Sequence, residues 1–297
     1  MLSAFVYATL SHAGVPALRR RTSRAAVVLC YHNVVTGAPA GGDPGLHLPL
    51  REFEWQVGLV AARYDVVPLD LLVDRIRAHR SVKGLAAITF DDAYHGALAH
   101  AWPVLHGAGL PATLFVPSRA IDRGTPFWWD QSPAAGTMQD MRDVWIDGLQ
   151  GDAALIGPAL DQTRAAWLPM DRRPAEWSAI CRAHAEGLAL GMHSVTHRNL
   201  RTLDDRELCR EVAENRWALA DRCGADASMF SYPYGLHDAR VRAAVRRAGA
   251  AGAVTLDFGR NDAWADPWAL RRVNVPASIP RAAFESWAAG LRMPRVA

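Results

Sequence analysis

Long apolar runs are the first thing this 297-residue sequence lacks. The mildly apolar start, residues 1–15, is too short to span a bilayer, and Ser11, His12 and Gly14 interrupt it. A secretory signal places positive charge ahead of an apolar core, whereas here Arg19, Arg20, Arg21 and Arg24 follow it. Residues 1–24 are therefore read as a separate N-terminal segment with a plain soluble, cytoplasmic start. The alternative is a short amphipathic segment on the inner membrane surface, its arginines touching anionic lipid. Cysteine is scarce: Cys30, Cys181, Cys209 and Cys223 stand far apart with no Cys-x-x-Cys spacing. They read as reduced thiols in a reducing compartment, with two disulfides as the alternative. Excess charge is also missing, and a net +3 is too small to argue for nucleic acid. There is no internal repeat and no low-complexity tract. With 50% hydrophobic and 21% charged residues, the composition is that of an ordinary globular protein. The length fits one α/β domain of barrel size over residues 25–297.

What is present is a buried-strand pattern that ends in acids. Leu85-Ala86-Ala87-Ile88 is a short apolar run behind a glycine, and Thr89-Phe90-Asp91-Asp92 follows it. Successive side chains on a strand point to opposite sides, so two adjacent acids cannot clamp one bond as a facing pair. They either hold separate jobs or cap the next helix. Acids at the carboxyl end of a parallel strand lie where α/β barrels and open α/β sheets keep their chemistry.

Far downstream, Leu188-Ala189-Leu190 leads into Gly191-Met192-His193-Ser194-Val195-Thr196-His197. Two histidines four apart share one face of a helical turn, and with one carboxylate they make a divalent-metal triad with open positions. A lone His-x-x-x-His is as readily a surface or core pair. Two such motifs at the ends of two predicted strands are a less accidental coincidence.

The remaining pattern alternates strand and helix, which implies parallel strands joined by right-handed crossovers. Residues 25–30 form a first strand that delivers Tyr31 and His32, and residues 36–49 are a loop. Helices are expected over 50–63, 69–80, 94–107, 176–186, 204–223, 238–248 and 280–289. Strands are expected at 65–67, 112–116, 229–232, 250–255 and 270–275. Residues 118–173 break the rhythm, with helical stretches at 138–149 and 152–167. This is read as an insertion over the barrel mouth. It carries Phe127-Trp128-Trp129-Asp130, Trp145 and Trp167, with Trp177 just beyond. These indoles either stack on sugar rings or pack the lid; Trp128 and Trp129 are the substrate-binding candidates.

The motifs together resemble a known family. Thr89-Phe90-Asp91-Asp92, His193-Ser194-Val195-Thr196-His197 and Ser231-Tyr232-Pro233-Tyr234-Gly235 are similar to the three ordered motifs of the polysaccharide deacetylases, the NodB-like carbohydrate esterases of family four. Leu29-Cys30-Tyr31-His32-Asn33-Val34 resembles the Tyr-His strand of the branch that includes poly-N-acetylglucosamine deacetylases. Leu270-Arg271-Arg272-Val273-Asn274-Val275 looks like the final strand of many members. The resemblance runs from about residue 27 to about 276. It implies an α/β fold, an irregular (β/α)7-8 barrel of the NodB type.

The chemistry that follows is hydrolysis of an N-acetyl group on a glycan or its lipid-linked precursor. That reaction needs an activated water, a stabilised oxyanion and a protonated leaving amine. The resemblance assigns Asp92, His193 and His197 to one divalent metal ion, Zn2+ first, with Co2+ or Ni2+ as alternatives. Asp91 is then the base, kept ionised beside the cation. Pro233, Tyr234 and Gly235 shape a wall, with a backbone N–H near Tyr234 for the oxyanion. His32 is the candidate acid, and His237 is its rival. Two departures from the family pattern stand out. The arginine that many members carry two residues before the proline is Ser231 here, which leaves the orientation of Asp91 unassigned. The late Leu-x-His motif is also absent, which throws more weight on His32. Two other readings share the fold: a glycan-binding protein without turnover, and an amide hydrolase acting on a small non-sugar substrate. A glycosidase is disfavoured, because the acid pair is adjacent and cannot flank one bond.

Overall fold

The computed structural model describes residues 2–37, 43, 45–131, 142–160 and 168–293. Its strands, in chain order, are β1 Val27–Tyr31, β2 Asn33–Val35, β3 His47–Pro49, β4 Asp65–Val66 and β5 Leu85–Phe90. There follow β6 Thr113–Val116, β7 Ala189–Met192, β8 Met229–Ser231, β9 Gly252–Phe258 and β10 Leu270–Asn274. The sheet runs β1-β10-β9-β8-β7-β6-β5-β4, and β1 also pairs with β5, so seven strands close a ring while β4 hangs on β5 outside it. Each pairing in the ring is parallel. The expected irregular α/β barrel is thus the fold.

Register sorts the strand residues into two layers. Leu29 pairs with Ile88 and with Val273. These three belong to a large buried cluster with the surrounding helices, among them Val57, Leu105, Val212 and Phe284. The alternate positions turn into the barrel. Val28, Ala87, Phe115, Met229 and Val254 pack there with Leu69, Leu72, Val73 and Ile76. Those four come from the helix Leu69–Arg77, which closes the amino end of the ring. Gly191 is where this interior is tightest: a Cβ there would lie 2.4 Å from the Phe115 ring. The apolar floor stops below the carboxyl ends of the strands. Above it the inward residues are Cys30, Thr89, Ser231 and Arg272, all buried.

Three sequence expectations need correction. The loop read over 36–49 ends in a short strand, since β2 and β3 form a small parallel sheet of their own. Asn33 N–H also donates to the Leu46 carbonyl, and a three-residue strand is too short to stand out from a Gly- and Pro-rich stretch. The reading of all four cysteines as reduced thiols gives way for Cys181 and Cys223, which are disulfide-bonded; Cys30 and Cys209 are free. The helices Trp177–Ala185 and Asp205–Cys223 bring those two Cα atoms to 4.9 Å, inside the range a bridge needs, although 42 positions separate them in sequence. Of the two helical stretches expected over the mouth, residues 142–148 are π-helical and 153–159 are helical, residues 149, 152 and 160 are not, and 138–141 and 161–167, with Trp167, lie outside the described residues.

The N-terminal segment forms the helices Leu2–His12 and Val15–Thr22, which lie against the closing helix Arg281–Ala288. Tyr7 is buried and its hydroxyl accepts from Trp287 Nε1 at 2.9 Å, while Ser11 Oγ donates to Glu285 at 2.5 Å. No described helix is long and apolar enough to cross a membrane.

Candidate active site

The site is built where the polar layer of the barrel meets the rim. Asp91 continues β5 by one residue, its N–H donating to the Tyr31 carbonyl at 2.9 Å. The chain then turns sharply, with φ of 71° at Asp92 and 53° at Ala93. This left-handed pair sends the two neighbouring carboxylates to different places: Asp91 into the barrel and Asp92 to the rim.

Asp91 is gripped from several strands. Arg272 donates to it through both ends of its guanidinium, Nη1 to Oδ1 at 2.8 Å and Nη2 to Oδ2 at 2.6 Å. Ser231 Oγ and the Cys30 thiol also reach Oδ2, at 3.2 and 3.6 Å. Arg272 is itself held, with Nε donating to the Thr255 carbonyl and Nη2 to Ser231 Oγ. Burial opposes ionisation of Asp91, but the Arg272 charge and its paired hydrogen bonds outweigh it and hold the carboxyl far below the usual range. Burial pushes the Cys30 thiol well up, so it stays a donor.

Asp92 faces two histidines. Its Oδ1 lies 3.4 Å from His193 Nε2 and 3.3 Å from His197 Nε2, and all three residues are buried. The helical turn expected for 193–197 is instead a loop, with φ of 60° at Ser194 and 59° at His197, and the imidazole centroids sit 4.7 Å apart. The helix Asp205–Cys223 sets that loop from behind. Glu211 accepts from the Val195 and Thr196 N–H groups and from Thr196 Oγ1, and Asn215 accepts from the His193 N–H. These two residues are four apart on one helix face. His193 Nδ1 donates to the Ser231 carbonyl at 2.8 Å, which leaves Nε2 to face Asp92; burial opposes a charge on this ring, but Asp92 and Asp91 outweigh it and raise the His193 pKa. Burial lowers the His197 pKa to about 3, leaving that ring neutral. Asp92 Oδ1 is buried without a hydrogen-bond partner. A carboxylate oxygen and two imidazole Nε2 atoms converging on one point are a ligand set that fits a divalent cation, which takes the place of any proton they share.

The other candidates surround a cavity of about 360 Å3 over this cluster. Asp91, Asp92, His193, His197, His32 and Tyr234 are among its walls. A ring nitrogen of His32, the Cys30 sulfur and an Asp91 oxygen lie within 4.8 Å of one another. His237 is not part of the wall; its ring packs on Tyr232 at 4.8 Å, and burial lowers its pKa. Tyr234 enters the cavity through a φ of 58°. Pro233 and Gly235 shape that turn, and a Cβ on Gly235 would stand 2.7 Å from Leu256. Trp128 and Trp129 line the cavity yet are only 4% and 5% exposed, because they pack with Phe127, Tyr94, Ile146 and Ile156. A buried relay holds Trp129 close to His197, at 5.0 Å between ring centroids. Trp129 Nε1 donates to Tyr94 OH, which donates to Asp130, whose second oxygen meets His47 Nε2 at 2.9 Å.

A family model described as "Polysaccharide deacetylase" matches residues 79–253. The chain belongs to the polysaccharide deacetylase family. No curated protein matches. Among solved structures, this chain is similar to the Streptococcus pyogenes deacetylase PplD in complex with acetate, with 14% identity and a TM-score of 0.65 over 91% of this chain and 99% of that one. It is also similar to IcaB from Ammonifex degensii, with 19% identity and a TM-score of 0.63 over 90% of this chain and 98% of that one. The BpsB deacetylase domain from Bordetella bronchiseptica gives 16% identity and a TM-score of 0.56 over 85% of this chain and 96% of that one. At these identities the likeness speaks for the fold.

The family match takes in β5 to the start of β9 and leaves out β1, which ends just before His32, and β10, which carries Arg272. Ser231 stands where many polysaccharide deacetylases have an arginine. The guanidinium that reaches Asp91 here comes instead from β10, with the small Ser231 side chain bonded to both partners. Sequence reading left this tether unassigned, although Arg271 and Arg272 alternate on a strand and one of them must face inward. An inward arginine calls for a buried acid. Glu211 and Asn215, which shape the histidine loop, gave no comparable signal.

The Asp91–Arg272 pair is almost wholly buried, at 3% and 0% side-chain exposure. Replacing Arg272 by Met strands a buried carboxylate and is expected to cost about 3–5 kcal/mol in denaturant unfolding. Adding Asp91→Asn to that variant should restore a large part of the loss. Equal losses in the single and double variants would contradict the pairing.

Proposed function

We propose that the protein is a metal-dependent hydrolase that removes N-acetyl groups from an N-acetylated sugar in a polysaccharide, an oligosaccharide or a lipid-linked glycan precursor. The observation that carries this reading is a single cavity holding three kinds of group. The Asp92, His193 and His197 acceptor cluster, the Arg272-held Asp91 and His32 all line it or stand directly behind its wall. The Asp92 oxygen, buried without a hydrogen-bond partner, and the two Nε2 atoms that face it suit one divalent ion, with Zn2+ the first choice for such a ligand set. When bound, that ion polarises the acetyl carbonyl and makes water more acidic.

The chain's own groups divide the remaining work. Asp91 Oδ2 is saturated by Arg272, Ser231 and Cys30, while Oδ1 carries one donor, Arg272 Nη1. Oδ1 is therefore the atom that takes the proton of the attacking water. Arg272 keeps Asp91 ionised and fixes its plane. His32, with a ring nitrogen within 4.8 Å of an Asp91 oxygen, donates a proton to the departing nitrogen. Tyr234 lines the same cavity, and a backbone N–H near it serves the oxyanion. The indoles of Trp128 and Trp129 offer the sugar an apolar side, although their burial shows that packing occupies most of each ring.

Two variants separate ligand from base. His197→Ala should lose its metal by elemental analysis and release no acetate from N-acetylglucosamine oligomers. Asp91→Asn should retain the metal and slow about 10²-fold or more, the usual scale for a positioned acid–base group. Full metal occupancy in the first variant, or metal loss in the second, overturns the assignment.

The acid role makes its own demand. An amide nitrogen must be protonated as its C–N bond breaks, whereas an activated phenyl ester expels its phenolate unaided. His32→Ala should depress amide turnover far more than acetate release from a nitrophenyl ester, with metal content intact. A parallel fall in both rates, or the selective loss appearing in His237→Ala, removes His32 from that role.

A further inference from the structure

A second cavity of about 180 Å3 lies against the first and shares Trp128, Trp129 and His197 with it as a common wall. Its far side is formed by the helix Ser118–Arg123 and by Thr196 and Arg198. That helix is tied to the histidine loop, because the Arg119 N–H donates to the Val195 carbonyl at 2.8 Å. The second cavity is therefore fastened to the metal-ligand loop.

Its charge is one-sided. Arg119, Arg123, Arg198 and Asp152 line it. Arg198 is neutralised within the protein, pairing with Asp152 at 3.3 Å and Glu207 at 3.2 Å and bonding Gln150. Arg119 and Arg123 make no side-chain hydrogen bond or ion pair with any described residue. They are four apart on one short helix, where like charges repel. Asp122, the acid beside them, is turned away to Trp177 and Arg222. Glu207, Glu211 and Glu214 share a neighbouring groove with Arg119, but none of them forms an ion pair with it. Arg119 and Arg123 are both exposed, so two hydrated guanidiniums without a partner among the described residues border one cavity and form a fork suited to an oxyanion.

We propose that this second cavity is a subsite for an oxyanion substituent, a phosphate ester or a carboxylate, carried by the glycan beside the acetylated sugar. The inference rests on the deacetylase reading and adds to it that the preferred substrate is an anionic glycan. The acetamide then sits over Asp92, His193 and His197. The charged group lies beyond Trp128 and Trp129 between Arg119 and Arg123.

The test uses the metal-loaded protein and three N-acetylglucosamine tetramers: neutral, bearing one phosphate ester, and bearing one carboxylate. One or both charged tetramers should show a lower KM than the neutral one, and the advantage should shrink with added sodium chloride. The arm with the larger advantage identifies the substituent. In the Arg119→Gln, Arg123→Gln double variant, the ratio of kcat/KM for the charged tetramer to that for the neutral one should fall about tenfold or more, the scale of one charge-assisted pair. An unchanged ratio, or no preference for either charged tetramer, overturns the proposal. Calorimetric binding of the same tetramers to the Asp91→Asn protein reads the subsite without turnover. Arginine-dependent binding there, together with no acetate release by the metal-loaded protein with Asp91 intact, would sink the deacetylase reading and leave the subsite standing. Acetate release with arginine-independent binding would do the reverse.

Discussion

The buried pair of Asp91 and Arg272 is the constraint on which the rest depends. Two charges in a protein interior are costly unless each is matched in geometry and hydrogen bonding. Here the match spans the barrel seam: Asp91 extends β5, Arg272 lies on β10, and β1 runs between them and contributes Cys30 to the same carboxylate. Closing the seven-stranded ring and completing the acid's environment are therefore one event. A strand slipped by one residue would turn Arg272 outward and leave Asp91 buried alone.

Around that pair the backbone is strained where the chemistry requires it. Among the described residues, seven other than glycine have positive φ, and Asp92, Ala93, Ser194, His197 and Tyr234 are five of them. Each such residue costs about 1 kcal/mol or more and persists only where its surroundings over-determine it. The surroundings are visible. Glu211 and Asn215 fasten the histidine loop from the helix behind, and Gly235 lets the Tyr234 turn pass close to Leu256. From above, the Tyr94–Asp130–His47 relay presses Trp129 toward His197.

The barrel was legible because its strands are buried on both faces and read as short apolar runs that end in polar residues. The strands carrying Asp91, His193 and His32 all appeared, and the structure gathers these residues around one cavity. What escaped has a common cause: it depends on partners distant in sequence. Arg272 lies 181 positions from Asp91, and Glu211 lies 15 from Thr196 through a loop that is not helical. The Cys181–Cys223 bridge is set by how two helices pack, and no local spacing announces it. The indole pair shows a different limit. Aromatic residues in an insertion mark a lid, but composition does not tell a packed ring from a stacking platform, and Trp128 and Trp129 are packed while still forming the cavity wall.

The family membership, the acceptor cluster and the held carboxylate converge on hydrolysis of an N-acetyl group. The most direct test is acetate release from N-acetylglucosamine oligomers by one preparation in three states: as purified, stripped with a chelator, and reconstituted with one equivalent of Zn2+. The account predicts release in the first and third states and none in the second. Undiminished release from the stripped protein, or none from the reconstituted one on any N-acetylated glycan, would contradict it.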